Sequence, residues 1–341
     1  MSSLTRRSFG AAALSGAALA MVGGRAAKAA ETIRVGVLPL TSHAPTFIAD
    51  GKDYFSEAGF EAKLVSFQAA QPMAVAIAAG DVDFGVTAIT GALVNLSDKG
   101  VVKVIGGALE EEPGIEGEKI LASDKAFKSG LTNPAQLKGR TFGITTAGSS
   151  FAYMAYKIAQ KEGFPAGDIH LKPLQRVPVL IAAIKSGEID AWAIVPNIAD
   201  ALTKGGGVHE IGKISDFIPH YQVTTVFTST ANVDKRPDLV KRFLAAYGKG
   251  AADYNAALVD KTMDEKTTEE IIALIHKFVY ASEPLAKAAP RIAHGAMRIS
   301  PKSRLNLGSV QDQLDWFKAQ HLVPPQSSID NLVDARFVET Y

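Results

Sequence analysis

Two stretches, AAGDVDFG at residues 78–85 and KSGEIDAW at residues 185–192, decide the fold. Each places a glycine after an apolar helical segment and an aspartate before a short apolar run, and both the glycines and the aspartates lie 107 residues apart. A glycine in this position is typical of a left-handed cap that ends a helix before the next strand. The two stretches therefore predict a repeated helix-to-strand unit, with the acidic residues in the framework rather than in a catalytic pair.

The segments around these stretches alternate between strand and helix in the same order. The predicted elements are strands 33–38, 62–67 and 83–87 with helices 45–57 and 72–79, and then strands 141–145, 169–173 and 190–195 with helices 149–162 and 179–186. An order of strand, helix, strand, helix, strand predicts a parallel sheet with crossover helices. The sequence thus predicts an α/β fold with two similar lobes.

Two further strands predict how the lobes are joined. A strand at 119–122 leads from the first lobe into the second, and a strand at 221–229 leads back. We therefore expect lobe 1 to contain residues 31–118 and 226–341, the latter part mainly helical, and lobe 2 to contain residues 119–225. Two crossings of this kind form a two-strand hinge.

Composition excludes several classes of protein. Of 341 residues, 47% are hydrophobic and 21% charged, which rules out wholesale disorder. The 36 basic residues nearly balance the 35 acidic ones, which argues against a nucleic-acid binder. The absence of cysteine excludes disulfides, thiol catalysis and cysteine-ligated metals. None of the seven histidines lies three or four residues from another, so we expect no metal and no other cofactor.

The N-terminus has the features of an export signal. Two adjacent arginines in TRRSF at residues 5–9 precede an Ala- and Gly-rich run at 11–22, and a small-x-small site follows at 27–29. We predict that residues 1–30 are a cleaved signal read by the twin-arginine export machinery. The mature chain then has a net charge of about -3 and no cysteine for lipid attachment, and we expect it in the periplasm.

An ordered set of short motifs resembles a known family. The motifs are Gly59-Phe60, residues 78–85, PAQLKGR at 134–140, Gly163-Phe164, residues 185–192 and RPDLVKRF at 236–243. In this order they are similar to the periplasmic ABC-transporter substrate-binding proteins for nitrate, alkanesulfonates, taurine and thiamine-pyrimidine precursors, over residues 31 to about 320. The resemblance implies a type II periplasmic binding protein, monomeric by default, which closes on a small ligand and delivers it to an ABC permease with its ATPase.

Candidate ligand-binding residues lie in the loops that follow the predicted strands. Ligands of parallel α/β sheets bind beyond the carboxyl ends of the strands, where helix N-termini offer free N–H groups. The candidates, in chain order, are Thr41, Ser42, His43, Gln68, Thr90, Gly91, Glu110, Thr146, Gly148, Ser149, Ser150, Arg176, Pro196 and Asn197.

The loop TTAGSSF at residues 145–151 is the best anion site in the sequence. Its glycine permits a turn, and Ser149, Ser150 and the first amides of the next helix converge there. Arg176 has the chemistry for a bidentate pair with a carboxylate or sulfonate. A serine helix cap and an exposed arginine are the ordinary alternatives. These loops favour a small oxyanion such as a sulfonate, nitrate or carboxylate.

Other features keep different ligands and functions open. The acidic run at 110–112 is either a solvated loop or a source of a cleft carboxylate, which disfavours an anion and suits an amine, a pyrimidine or another nitrogenous ligand. A pyrimidine-synthesising enzyme of the wider superfamily is disfavoured because it would use a cysteine-containing motif. A ligand sensor without transport is a third alternative.

Overall fold

The computed structural model describes residues 30–341. The predicted export signal, residues 1–30, lies outside the described residues apart from its last residue. Within residues 30–341, no helix combines the length and apolar character needed to cross a membrane.

The strands and helices follow the predicted alternation. The strands are β1 (Glu31–Val37), β2 (Phe60–Ser66), β3 (Phe84–Thr87), β4 (Val102–Gly107), β5 (Leu109–Glu110), β6 (Lys119–Ser123), β7 (Thr141–Ile144), β8 (His170–Pro173), β9 (Ala191–Ile194), β10 (Val208–Lys213), β11 (Thr225–Ser229) and β12 (Arg298–Ile299). The helices are α1 (Ala44–Gly51), α2 (Tyr54–Glu57), α3 (Ala70–Ala79), α4 (Gly91–Asp98), α5 (Asp124–Lys128), α6 (Ser150–Glu162), α7 (Val177–Ser186), α8 (Pro196–Lys204), α9 (Thr230–Lys235), α10 (Pro237–Tyr254), α11 (Glu265–His276), α12 (Leu285–His294), α13 (Leu307–Ala319) and α14 (Ile329–Leu332).

Within the described range, the strands form two five-stranded sheets and one two-stranded ribbon. The first sheet has the order β2-β1-β3-β11-β4, the second the order β8-β7-β9-β6-β10, and β5 pairs with β12. In each sheet the first three strands are parallel, and the fourth, which enters from the other lobe, is antiparallel to its neighbours. The protein thus has two α/β lobes of the same topology, as the sequence predicts.

The repeated Gly–Asp stretches are framework, which confirms their prediction. The glycines end α3 and α7 in the left-handed region, with φ of 79° and 73°. The carboxylate of Asp83 accepts a hydrogen bond from the backbone N–H of Arg34, and that of Asp190 accepts one from Thr141, both at 2.8 Å. Arg34 in β1 and Thr141 in β7 are themselves 107 residues apart, so each aspartate ties the start of its own strand to the strand that begins the repeated unit.

The hinge consists of two antiparallel crossing segments that touch each other. The backbone N–H of Glu111 donates to the carbonyl of Tyr221 (2.9 Å), and that of Val223 donates to the carbonyl of Leu109 (2.9 Å). These bonds hold the outgoing and returning segments side by side between the lobes.

Two predicted elements differ from the structure by more than the one or two residues seen at other element ends. The helix predicted at 45–57 is interrupted, because Asp53 has a φ of 60° between α1 and α2. The strand predicted at 221–229 is regular only from Thr225, since the residues before it form the hinge crossing. In the mainly helical C-terminal part, α13 starts at Leu307, where the side chain of Asn306 accepts the N–H of Ser309 (2.9 Å) and caps the helix.

The C-terminal helices pack on the first sheet. The ring of Phe243 in α10 stacks on that of Phe84 in β3, with centroids 3.8 Å apart, and both rings are buried. Trp192, in β9 of the second lobe, is also fully buried, as expected for a core residue.

Candidate functional site

A cavity of about 60 Å³ lies between the lobes, at the carboxyl ends of their parallel strands. Its polar lining consists of Ser42, His43, Thr87, Glu118, Thr145, Ser149, Ser150 and Thr224. Its apolar lining consists of Leu38, Leu40, Ala69, Ala70, Ala88, Leu109, Phe151, Val177, Ile194, Val195 and Val223. Both lobes and both hinge segments therefore contribute to one cavity, which is where a parallel α/β fold binds its ligands.

Four predicted site residues line this cavity directly. Ser42 and His43 come from the turn before α1, and Ser149 and Ser150 come from the start of α6. The hydroxyl of Ser149 is buried, and it has no hydrogen-bond partner among the described residues. The alternative interpretation, that Ser149 caps α6 through its side chain, finds no support, because that side chain makes no cap hydrogen bond. Its hydroxyl is free for a ligand.

His43 is held in its neutral form. Complete burial lowers the pKa of its imidazole to about 3. Its Nδ1 atom has no hydrogen-bond partner among residues 30–341. A neutral imidazole has one donor and one acceptor nitrogen, so His43 brings hydrogen-bonding capacity to the cavity without positive charge.

Four other predicted residues form contacts that join the lobes. The hydroxyl of Thr41 donates to the side-chain oxygen of Asn197 (2.9 Å), and both residues are buried. The backbone N–H of Gly91 donates to the carbonyl of Gly148 (3.0 Å). A Cβ on Gly148 would lie 3.2 Å from the nitrogen of Gly91, so glycine is what permits this approach. These residues close the cleft above the cavity.

A second, larger groove of about 500 Å³ adjoins the cavity and shares Leu38, Leu40 and Val177 with it. Gln68 and Asn197 line this groove. Arg176 is exposed at its edge, and its Nη1 atom donates to the side-chain oxygen of Gln68 (3.4 Å). Arg176 thus reaches across the mouth of the cleft instead of entering the cavity.

Two predicted residues have local structural roles, and a third, Thr146, does not reach the cavity. The hydroxyl of Thr90 accepts the N–H of Leu93 (3.1 Å) and caps α4. Pro196 is the first residue of α8, where a proline is well tolerated. The hydroxyl of Thr146 is buried and has no partner in the described part of the chain, and Thr146 does not line the cavity.

The structure moves Glu110 away from the cavity and corrects the prediction for its loop. Glu110 and Glu111 are both buried, so this part of the acidic run is not a solvated loop. The carboxylate of Glu110 accepts hydrogen bonds from the hydroxyls of Ser300 and Tyr341, each at 2.9 Å. The pairing of β5 with β12 turns Glu110 towards the C-terminal segment, and its carboxylate is used there.

The cavity carboxylate is Glu118, which the sequence analysis missed. Its side chain is buried, with 3% exposed, and its Oε2 atom has no partner within residues 30–341. Burial raises the pKa of Glu118 well above its usual value, and the nearby Glu111 raises it further. The carboxylate of Glu111 accepts the backbone N–H of Glu118 (2.8 Å), and burial raises the pKa of Glu111 to about 8. The available signal was the position of Glu118, directly before the crossing strand β6.

Among residues 30–341, no group of three or more histidine or acidic side chains is arranged to hold a metal ion. The arrangement instead provides a small chamber with hydroxyl, imidazole and carboxyl groups on apolar walls, closed by contacts between two lobes. Such a chamber is suited to binding a small molecule.

Comparisons with known proteins agree with this architecture. A family model described as NMT1/THI5-like matches residues 40–257, which is more than half of the chain. A Bacillus subtilis (strain 168) protein named for the binding of aliphatic sulfonates is 26% identical over 261 residues, which cover 72% of this chain and 74% of that protein.

Solved structures with the same fold include two binding proteins. The alkanesulfonate-binding protein from Xanthomonas axonopodis pv. citri, bound to MOPS, has a TM-score of 0.69 at 20% identity and covers 91% of this chain and 98% of its own. The periplasmic nitrate-binding protein from Synechocystis PCC 6803 has a TM-score of 0.69 at 13% identity, covering 88% of this chain and 83% of its own. At these identities the likeness shows the fold: a periplasmic binding protein fold.

Proposed function

Because the chain belongs to the NMT1/THI5-like family, we propose that it is the substrate-binding protein of an ABC importer, which captures a small polar ligand between its lobes and presents it to a permease. The family match confirms the resemblance found in the sequence. The names of the relatives support a solute-binding role. Delivery to a permease and its ATPase, export by the twin-arginine machinery, a periplasmic location and a monomeric state are parts of this proposal.

One observation carries the proposal: the two lobes meet directly over a cavity that both of them line. The Thr41–Asn197 and Gly91–Gly148 hydrogen bonds close the cleft on the cavity side. On another face, the carboxylate of Asp312 in α13 accepts hydrogen bonds from Tyr153 and Lys157 of α6. Contacts of this kind form when a hinged protein closes and separate when it opens, so capture and release follow from hinge motion.

We assign the ligand contacts to Ser42, His43, Ser149 and Ser150. Of these, the Ser149–Ser150 region is the best candidate for an oxyanion, since the first N–H groups of a helix of 13 residues point out of its N-terminus. The prediction of a sulfonate, nitrate or carboxylate ligand rests on this region, and the names of the relatives are consistent with it. The alternative prediction of a nitrogenous ligand rests on the carboxyl group of Glu118 in the same cavity. Residues 31–118 and 226–341 form one moving body in this proposal, and residues 119–225 form the other.

No bond chemistry is part of the proposal. The pyrimidine-synthesising enzyme of the wider superfamily uses a cysteine-containing motif, and this sequence has no cysteine. A sensor that binds a ligand without transport would use the same capture step, and a permease gene beside this one would favour transport.

The test is a thermal-shift screen of the purified protein. The panel contains nitrate, sulfonates, taurine, carboxylates, bicarbonate, pyrimidines and amines. A ligand at one hundred times its dissociation constant stabilises the native state by about 2.7 kcal/mol, which raises the melting temperature measurably.

Two variants locate the binding site. S150W places a large side chain in the cavity, while S186W places one on an exposed serine at the end of α7. We expect a saturable shift in the wild type and in S186W but not in S150W. A shift that survives unchanged in S150W would place binding elsewhere and refute the proposal.

A further inference from the structure

We propose that the buried end of the ligand is a cationic nitrogen group that donates hydrogen bonds, an ammonium or an amidinium, and that Glu118 selects it. This inference rests on the proposed solute-binding function. The oxyanion prediction concerns the Ser149–Ser150 region, whereas this inference concerns the ligand group that lies against Glu118.

One oxygen of the Glu118 carboxyl group has no hydrogen-bond partner among the described residues. It lies on the hinge, 3% exposed, lines the cavity and leaves Oε2 without a hydrogen bond among the described residues. A buried polar group without a partner costs free energy, so native proteins rarely keep one that has no function. A ligand that donates to Oε2 removes this cost.

Lys119, the cation that follows Glu118 in the chain, is already paired with other carboxylates. The ammonium group of Lys119 lies 2.9 Å from Glu116, 3.0 Å from Asp200 and 3.1 Å from Glu210. Successive side chains of a strand point to opposite faces, which keeps the Lys119 side chain away from that of Glu118. Three carboxylates therefore hold the charge of Lys119, and Glu118 is left to the cavity.

The groups around the cavity favour a nitrogen group next to Glu118. Among residues 30–341, no lysine or arginine lines the cavity, and His43 is neutral. The lining offers a carboxyl group, an imidazole with one donor and one acceptor nitrogen, and hydroxyls that donate or accept as required. A bound oxyanion brings only acceptors to Glu118, whereas a cationic nitrogen group brings N–H donors and the charge opposite to that of a carboxylate.

The raised pKa of Glu118 fits this balance. In the empty cavity the carboxyl group keeps its proton more readily, because burial and Glu111 both disfavour its charge. A cationic ligand supplies the opposite charge that allows the carboxylate to form, as in a buried ion pair with hydrogen bonds. The apolar wall shared with the larger groove then accommodates the body of the ligand.

The experiment compares pairs of probes that share a body and differ in the head group. The pairs are benzylamine with phenylmethanesulfonate, butylamine with butane-1-sulfonate, and benzamidine with benzoate. Titration calorimetry of the full purified protein gives the affinity for each probe. We expect at least one nitrogen probe to bind saturably, with its oxyanion twin about tenfold weaker or more.

Two isosteric variants identify the residue responsible. E118Q keeps the shape of the side chain but removes its charge, and it also offers a permanent N–H donor. E112Q is the matched control, because Glu112 lies on the same segment, accepts from Arg298 (2.8 Å) and does not line the cavity. We expect E118Q to lower the affinity for the nitrogen probe about tenfold or more, and E112Q to change it less than twofold.

Either of two results overturns the inference. One is that the sulfonates bind better than the amines, with E118Q leaving their affinity unchanged or higher. The other is that no nitrogen probe binds. Comparison of the twin probes needs no variant, so it stands even if E118Q fails to fold. If only an oxyanion binds, and S150W abolishes that binding, the inference is wrong but the solute-binding function stands. If no ligand of the thermal-shift panel stabilises the wild type, the solute-binding function itself is contradicted.

Discussion

The contact between Gly91 and Gly148 makes lobe closure sensitive to a single side chain. A Cβ on Gly148 would lie 3.2 Å from the nitrogen and 3.4 Å from the Cα of Gly91. Alanine is tight there but tolerable, whereas the branched side chain of G148V places further methyl groups in the same space. The backbone of Gly148 is not in the left-handed region, so the substitution strains the closed contact and not the local chain.

The expected size of the effect follows from the cost of overpacking, which is about 1–3 kcal/mol. If this cost falls on the closed state alone, the closed population decreases and the apparent dissociation constant rises about 5- to 150-fold. G148A should also raise the apparent dissociation constant, by a factor at the lower end of this range. A147V is the control, since Ala147 is the exposed neighbour of Gly148.

The assay combines the ligand affinity with the melting temperature of the ligand-free protein. We expect G148V to weaken binding of whichever panel ligand shifts the wild type, while its ligand-free melting temperature stays within a few degrees of the wild-type value. Wild-type affinity in G148V would refute the idea that the glycine contact belongs to the ligand-bound state. An equal loss of stability without ligand would show that the contact belongs to the fold as such.

Three further predictions concern stability. Burial raises the pKa of Glu111 to about 8, so above about pH 4.5 the folded state holds a proton that the unfolded state has lost. The free energy of unfolding should therefore fall between about pH 4.5 and 8, by up to about 5 kcal/mol. Urea titrations should show a smaller fall in E111Q. An unchanged slope in E111Q would contradict this. Y341F removes the hydroxyl that donates to Glu110 and should cost about 1–3 kcal/mol by the same measurement, with no loss of ligand affinity. F243A removes a buried ring stacked on Phe84 and should cost about 3–5 kcal/mol; a cost below 1 kcal/mol would show that α10 is not anchored there.

The two-lobe fold was predictable because its signals are local. A glycine cap, an aspartate that accepts a strand N–H and an apolar run of strand length all fall within eight residues, and the sequence contains this set twice. The boundaries were less predictable where conformation depends on single residues. Asp53 breaks the helix predicted at 45–57 by adopting a positive φ, which most residue types avoid.

The site was predictable only in part, for a different physical reason. Ser42, His43, Ser149 and Ser150 were found because they follow strands at the carboxyl edge of a sheet. Glu110 and Glu118 both lie on the outgoing hinge segment, and nothing local distinguishes them. The difference comes from β12, almost 190 residues further along the chain, which pairs with β5 and turns Glu110 away. The guanidinium group of Arg176 is suited to binding an oxyanion, but it lies at the mouth of the cleft. There it donates a hydrogen bond to the side chain of Gln68 in the other lobe.

The most direct test of the central claim is fluorescence energy transfer between the lobes during ligand titration. The chain has no cysteine, so the substitutions V75C and L171C create unique labelling sites at exposed positions in α3 and β8, with 52% and 40% of the native residues exposed. The account predicts that transfer efficiency shifts as ligand is added and saturates with the dissociation constant measured by calorimetry. Saturable ligand binding with unchanged transfer would contradict capture by lobe closure.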